Sequence, residues 1–404
     1  MPTTNFKNSS GTDIGNTLVE KSYLIDRYPE LADTFKQAGL WAWGYNSFNQ
    51  LIDNTTTHRS SPVSTYSSDT NWRIVSCGLY HASGIKTDGT LWTWGYDDVG
   101  QLGVNATGVS RTTPVQTVAA GTTWKQVDCG HKFTAAIKTD GTLWTWGRNN
   151  QGQLGNGTTT NNPSPVQIAG TTWKLVSAGF ESTGAIKTDG TLWTWGINEW
   201  PNVTLGVGDS TNRSSPTQVS GTTWKQISMG RRSAAAIKTD GTLWCWGDRG
   251  DGGVGDGVIS GFVSMSSPIQ TTAGGTNWKQ VSVGVNNVSA IKTDGTLWTW
   301  GNGASGQNGD GTATTRSTPI QIPGTTWKQI DKSSYYKSAA IKTDGTLWTW
   351  GANPYGDLGD NTTTDRSSPV QTIAAGTNWK MVACGHYFMM AIRDDSADIF
   401  GNNL

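Results

Sequence analysis

Few side chains in this chain are of types that do chemistry, and most of them fall at recurring positions. Cys77, Cys129 and Cys384 each stand directly before a Gly, with His81, His131 and His386 two to four residues further on. Cys and His gathered in one sector are the donor set of a zinc site. Ala178, Met229 and Val283 fill the same slot elsewhere, so a small residue packed between elements is the expected role and no metal is expected. A second candidate is the loop from Asp248 to Gly257, which contains Gly-Xaa-Gly-Xaa-Xaa-Gly and three carboxylates. A dinucleotide fingerprint must lie between a strand and a helix, and no helical pattern follows. Calcium takes several oxygen ligands, but the corresponding loop at 148–156 has similar Gly and Asn without the acids, so turn chemistry accounts for both. His-Glu-Xaa-Xaa-His, Gly-Xaa-Ser-Xaa-Gly and Gly-Lys-Ser/Thr are absent, so neither catalysis nor a cofactor is expected.

The side chains with the greatest capacity for recognition are those that differ between repeats. One loop position carries, in successive copies, Tyr80 and His81; His131, Lys132 and Phe133; Phe180 and Glu181; Arg231 and Arg232; Asn286 and Asn287; Tyr335, Tyr336 and Lys337; and His386, Tyr387 and Phe388. Tyr, Phe, His and Arg are amphipathic or forked groups that anchor protein interfaces and stack on sugars. These loops are expected on one face, around a central channel.

The elements that position them are repeats. Ile-Lys-Thr-Asp-Gly-Thr-Leu-Trp-Xaa-Trp-Gly starts at Ile85, Ile137, Ile186, Ile237, Ile291 and Ile341. Counting the Ala-Trp-Gly at 42–44 and the Ile-Phe-Gly at 399–401, the closing glycines lie 49 to 54 residues apart, at 44, 95, 147, 196, 247, 301, 351 and 401. A period of this size means one supersecondary unit copied around a ring. Asp-Gly between two β-favouring runs predicts a hairpin with a type I′ turn. Leu-Trp-Thr-Trp puts both indoles on one strand face, and Ser-Pro-Val-Gln suits an edge strand because Pro has no N–H to donate. The unit reads as four antiparallel strands, one propeller blade, repeated seven times over residues 40–404. Of the 22 Trp, 21 occupy repeat positions, where they fill the gaps between twisted sheets. Either Leu40–Gly44 or Ala397–Gly401 supplies the missing strand of the last blade. Leu40–Gly44 keeps the Trp pair and would latch the ring shut.

The Gly-Gln-Leu-Gly loops at 100–103 and 152–155, the Cys77-to-His81 stretch and the Trp-Gly strand ends resemble regulator-of-chromosome-condensation repeats. The resemblance covers about nine-tenths of the chain and implies an all-β, seven-bladed propeller of four-stranded antiparallel blades. It leaves function open, since the fold serves exchange factors, photoreceptors, enzyme inhibitors and virion proteins. The exchange-factor branch depends on a protruding insertion, and no interval here exceeds 54 residues. The plant photoreceptor motif Gly-Trp-Arg-His-Thr is replaced by Gly78-Leu79-Tyr80-His81-Ala82.

Residues 1–39 belong to no repeat and read as a short helical arm, with a capping box at Thr17-Leu18-Val19-Glu20 and Pro29 opening a second helix. Leu18, Val19, Tyr23, Leu24, Tyr28, Leu31 and Phe35 make an apolar surface that must dock elsewhere. The arm resembles the head of repeat-propeller proteins encoded by tailed bacteriophages. That implies a virion component, a tail fibre, baseplate or neck appendage, anchored to other virion proteins by the arm and meeting a host-surface protein or glycan on the loop face. A soluble protein-binding propeller, such as an enzyme inhibitor, is the alternative. Lys plus Arg equals Asp plus Glu at 30 each, which argues against nucleic acid as a partner. With no signal-peptide pattern and no bilayer-length apolar run, synthesis in the host cytoplasm, location in the virion and no membrane insertion are expected.

Overall fold

Each repeat begins with a buried Trp and a short strand, turns, and runs back through the Ile-Lys segment. In the first blade these strands are β3 (Trp72–Cys77), β4 (His81–Lys86), β5 (Leu91–Gly95) and β6 (Arg111–Gln116), preceded by β1 (Ala38–Gly44) and β2 (Arg59–Ser64). The computed structural model describes residues 38–394 except 67, 68, 70, 201, 202, 262, 333, 334 and 375. The expected helical arm over residues 1–37, with all seven of its apolar residues, and the alternative closing strand Ala397–Gly401 lie outside the described residues. Among the described residues every regular element is a strand, grouped into seven four-stranded sheets.

Within each blade the strands are antiparallel neighbours, and the Pro-containing strand is outermost, where a missing N–H costs no ladder bond. The last blade has the order β2–β1–(Phe388–Asp394)–(Trp379–Cys384), so the N-terminal strand closes the ring. β1 pairs with its C-terminal partner from Ala38↔Asp394 to Gly44↔Phe388, so the paired strand includes Ala38 and Gly39, ahead of the Leu40 expected to open it.

The Asp-Gly hairpins differ from the type I′ expectation. Only the Gly takes a left-handed φ (Gly89, +80°), while Lys86 N–H donates to Thr90 O and Gly89 N–H to Lys86 O, both at 3.0 Å. This is a three-residue loop, a type I turn ending in a glycine bulge. Asp88 steadies it by accepting from Thr90 N–H at 2.9 Å and Thr90 Oγ1 at 2.7 Å.

The tryptophans set the blade spacing. The second indole of each pair is fully buried and donates to a carbonyl in the preceding blade: Trp94 to Gln50 O, Trp146 to Gln101 O, and Trp43 to Asp357 O across the closure. The first indole is half-buried and sandwiches the Lys of the Ile-Lys pair against the blade-opening Trp. Lys238 Nζ, for example, sits 4.0 Å from the Trp244 ring and 4.8 Å from Trp224. Arg393 takes the equivalent place over Trp41 at 4.0 Å in the closing blade.

The innermost strands line the channel and staple one blade to the next. Ser76 Oγ accepts from Cys129 N–H at 2.9 Å, Asp128 Oδ2 from Ala178 N–H at 2.8 Å, Ser177 Oγ from Met229 N–H at 3.0 Å and Asp331 Oδ2 from Cys384 N–H at 2.7 Å. Ser228 and Ser282 do the same for Val283 and Lys332, and only Ala383 lacks the acceptor. The glutamine two residues earlier bridges as well, Gln126 donating to Val176 O at 2.8 Å and accepting from Val176 N–H at 3.1 Å.

Candidate binding face

Antiparallel pairing decides which loops share a face. His81 lies opposite Gly95 in the ladder, so the loop between the first and second strands emerges beside the residue after Trp-Gly. A hydrogen bond ties the two in all seven blades, from Tyr96 N–H to Tyr80 O at 2.9 Å through to Tyr45 N–H to Tyr387 O at 2.8 Å. Glycine is required at the junction: Gly95 has φ +91°, and a Cβ there would stand 2.5 Å from Tyr80 O. Each blade thus presents a pair of variable residues: Tyr80 with Tyr96, Lys132 with Arg148, Glu181 with Ile197, Arg232 with Asp248, Asn286 with Asn302, Tyr336 with Ala352, and Tyr387 with Tyr45.

The pairs divide the face into two sectors. In the last blade and its two neighbours the rings fuse into one cluster. Phe48 lies 4.3 Å from Tyr96 and 5.0 Å from Tyr80, Tyr80 stacks on Tyr387 at 6.0 Å, and Tyr387 meets Tyr335 at 4.6 Å. Tyr45 stacks on His58 at 4.6 Å and meets Tyr355 edge-on at 4.9 Å. Tyr335 contacts Tyr336 at 5.0 Å and His386 at 4.7 Å. His386 leads to His131 at 6.1 Å, which packs on Phe180 at 3.9 Å beneath the Arg231 guanidinium. The tyrosines of this cluster, Phe48, His131 and Phe180 are half-buried, while His386, also expected at the surface, is buried.

In the remaining blades the loop residues are charged and largely paired. Arg148 meets Glu181 at 3.0 Å, Arg232 approaches Asp248 at 3.7 Å, and Lys132 meets Asp98 at 2.5 Å. Asn286 donates to Asp251, and Arg249 pairs with Asp256. The acids of the 248–257 loop therefore already have partners within the protein, Asp248 also accepting from Gly250 N–H at 2.7 Å.

Several residues expected at the loop surface are instead interior. Phe133 and Phe388 are fully buried because they are the first residues of second strands, and their side chains enter the core. His81 is fully buried, with Nε2 against Thr134 Oγ1 at 3.1 Å, and burial pushes it down to about 4. Asn286, Asn287 and Glu181 are buried, the last with its carboxyl pushed up by burial. Lys337 is buried beneath the rings, 3.1 Å from Asp357 Oδ1 and donating to His386 O at 3.0 Å. Burial lowers its ammonium below the ordinary lysine value.

Cys77, Cys129 and Cys384 line the upper channel as buried thiols. Burial pushes Cys129 up to about 12 and the other two well above the ordinary value. The channel itself is a cavity of about 380 Å³, lined by the inner strands with Asp128, Asp331 and Lys332. Burial pushes Asp128 up to about 6, Asp331 up to about 7 and Lys332 down to about 7.

Tyr45, Phe48, His58, Tyr96 and Tyr355, which complete the ring cluster, were not among the candidates read from sequence. Their signal was available: the ladder register places the loop after Trp-Gly on the same face as the first loop.

Two repeat models, both described as the regulator of chromosome condensation (RCC1) repeat, match this architecture, one at residues 88–137, 140–186, 189–237 and 344–392, the other at 72–101, 124–153 and 224–252. The chain belongs to the RCC1 repeat family. Among curated RCC1-type relatives, the ultraviolet-B receptor UVR8 of Arabidopsis thaliana is 29% identical over 289 residues, 70% of this chain and 65% of the receptor. The human E3 ubiquitin-protein ligase HERC2 is 27% identical over 267 residues, 64% of this chain but 5% of the ligase. The chain thus spans less than two thirds of either relative. Human WBSCR16 superposes with a TM-score of 0.78 at 19% identity, covering 88% of this chain and 99% of that one. Yeast RCC1 (Prp20), solved with Kap60, gives 0.79 at 17% identity, with 90% and 91% covered. Both likenesses are to the fold.

Proposed function

We propose that this protein is a non-enzymatic binding propeller that docks on a partner surface through the aromatic sector of its loop face. The carrying observation is the fused, half-exposed cluster of rings contributed by three adjacent blades, where tyrosines replace the paired charges of the other blades. Large amphipathic rings are the groups that anchor interfaces. The RCC1 repeat supports a binding role, since the structure of Prp20p from Saccharomyces cerevisiae is described together with its binding to Gsp1p and histones.

We further propose that the protein is a component of a bacteriophage particle, held to other virion proteins by residues 1–37 and displaying the propeller toward the host surface. The apolar set from Leu18 to Phe35 supports this reading. Mass spectrometry of purified particles against free lysate tests it. Fixed stoichiometry in particles is expected, and absence from them leaves the soluble binding propeller. The docking face is tested by attachment of the labelled chain to envelopes of the infected cell. Tyr80→Ser and Tyr355→Ser are expected to weaken attachment without changing thermal unfolding, and unchanged attachment overturns the docking role.

A further inference from the structure

We infer that the aromatic sector is a carbohydrate site, taking an uncharged oligosaccharide laid across the last blade and its two neighbours. The inference rests on the docking role proposed above and names its ligand. Successive rings stand 4.3 Å (Tyr96 to Phe48), 5.0 Å (Phe48 to Tyr80), 6.0 Å (Tyr80 to Tyr387) and 4.6 Å (Tyr387 to Tyr335) apart. Tyr80 and Tyr96 are themselves only 6.2 Å apart, and Tyr45 lies 5.4 Å from Tyr80, so the rings form a compact aromatic platform rather than a track, and a sugar can set a C–H face against it. The electropositive C–H groups of a pyranose meet the negative face of the aromatic quadrupole.

The polar edges fit the same ligand. Burial and neighbouring phenols push Tyr80 and Tyr387 up; the Tyr387 hydroxyl is already hydrogen-bonded to Tyr335, and that of Tyr80 can donate to and accept from sugar hydroxyls. The charge at the sector excludes acidic polymers. Lys132, 5.5 Å from the Tyr96 ring, is held by Asp98, and Lys337 below the rings is buried against Asp357. A single-stranded nucleic acid would stack on such rings, but it also requires a cationic track for its phosphates. Here Lys132 and Lys337 already have carboxylate partners, Arg231 over Phe180 is a single cation and not a track, and the chain's formal net charge is zero.

The test is titration of the full chain with neutral hexasaccharides of glucose, galactose, mannose and N-acetylglucosamine, read by calorimetry and saturation-transfer NMR. At least one is expected to bind, with saturation on the sugar C–H faces and no loss of affinity on adding salt. Phe48→Ser and Tyr96→Ser are each expected to weaken it about tenfold, the worth of one stacked ring, with thermal unfolding unchanged. Loss of binding from envelopes treated with periodate but not with protease is expected in parallel. The inference is overturned if no hexasaccharide binds, or if binding ignores both ring variants. Should protease rather than periodate abolish an attachment that still needs Tyr80 and Tyr355, the ligand is a protein and the docking role survives. Attachment indifferent to Tyr80 and Tyr355 removes the docking role with it.

Discussion

Two residues show how single side chains were re-assigned by depth. Lys337 and Asp357 form a buried ion pair at 3.1 Å, where other blades place Gln101, Gln153 and Gln307 in the Asp position. Removing one partner leaves an uncompensated buried charge, so Lys337→Met should cost about 3–5 kcal/mol. Lys337→Met combined with Asp357→Gln should recover most of that loss, as read by denaturant unfolding of both variants. His81 makes a second case. Its ordinary value of 6.5 falls to about 4 on folding, so the unfolded chain gains a proton that the folded chain refuses. The stabilising effect is intact above pH 6.5 and drains away as pH falls toward 4. The stability gap between wild type and His81→Gln should therefore narrow over that range, by up to about 3 kcal/mol. Neither role was legible, because a Lys or His in a variable loop position gives no sign of how deep its side chain sits. The repeated tryptophans were legible, since an identical residue in every copy has to satisfy the same gap.

At the level of strands, the sequence pattern identified the hairpins and the edge strand but not the staples between blades. The residue two after each Gln in Trp-Lys-Gln is either Ser or Asp because either oxygen can accept the next blade's N–H. Asp carries a cost that Ser does not. Burial raises Asp128 from 3.8 to about 6, so between those values the folded chain keeps a proton that the unfolded chain has lost. Its contribution to stability therefore falls as pH rises from about 4 to about 6 and stays low above that. Asp128→Ser should gain on wild type across the same rise, by about 2–3 kcal/mol at neutral pH. Denaturant midpoints at about pH 4 and about pH 7 check the sign, and a variant that loses ground on wild type as pH rises refutes it. The partition of the loop face belongs to this level too. It came from pairing two loops of each blade, a relation between strands that no single loop records.

For the whole molecule the decisive feature is closure. The ring could be counted from the glycine intervals, and the Trp pair at 41 and 43 marked the N-terminal strand as the latch. What intervals could not convey is how much the latch carries. β1 pairs with Phe388–Asp394 over seven positions, buries Trp43 completely and sends its indole N–H to Asp357 O at 2.7 Å in the blade before. Removing it would open a sheet edge, and Tyr45 would lose the strand that holds it against Tyr387. Deleting residues 1–37 keeps the latch and should leave a single cooperative transition. Extending the deletion through Gly44 should abolish the single cooperative transition and promote self-association through the unpaired strand Phe388–Asp394. Calorimetry and light scattering on the two truncations separate these outcomes. If the longer truncation still melts as one sharp monomeric transition, the ring does not depend on its latch, and the stability of the propeller resides in each blade's contacts with its neighbours.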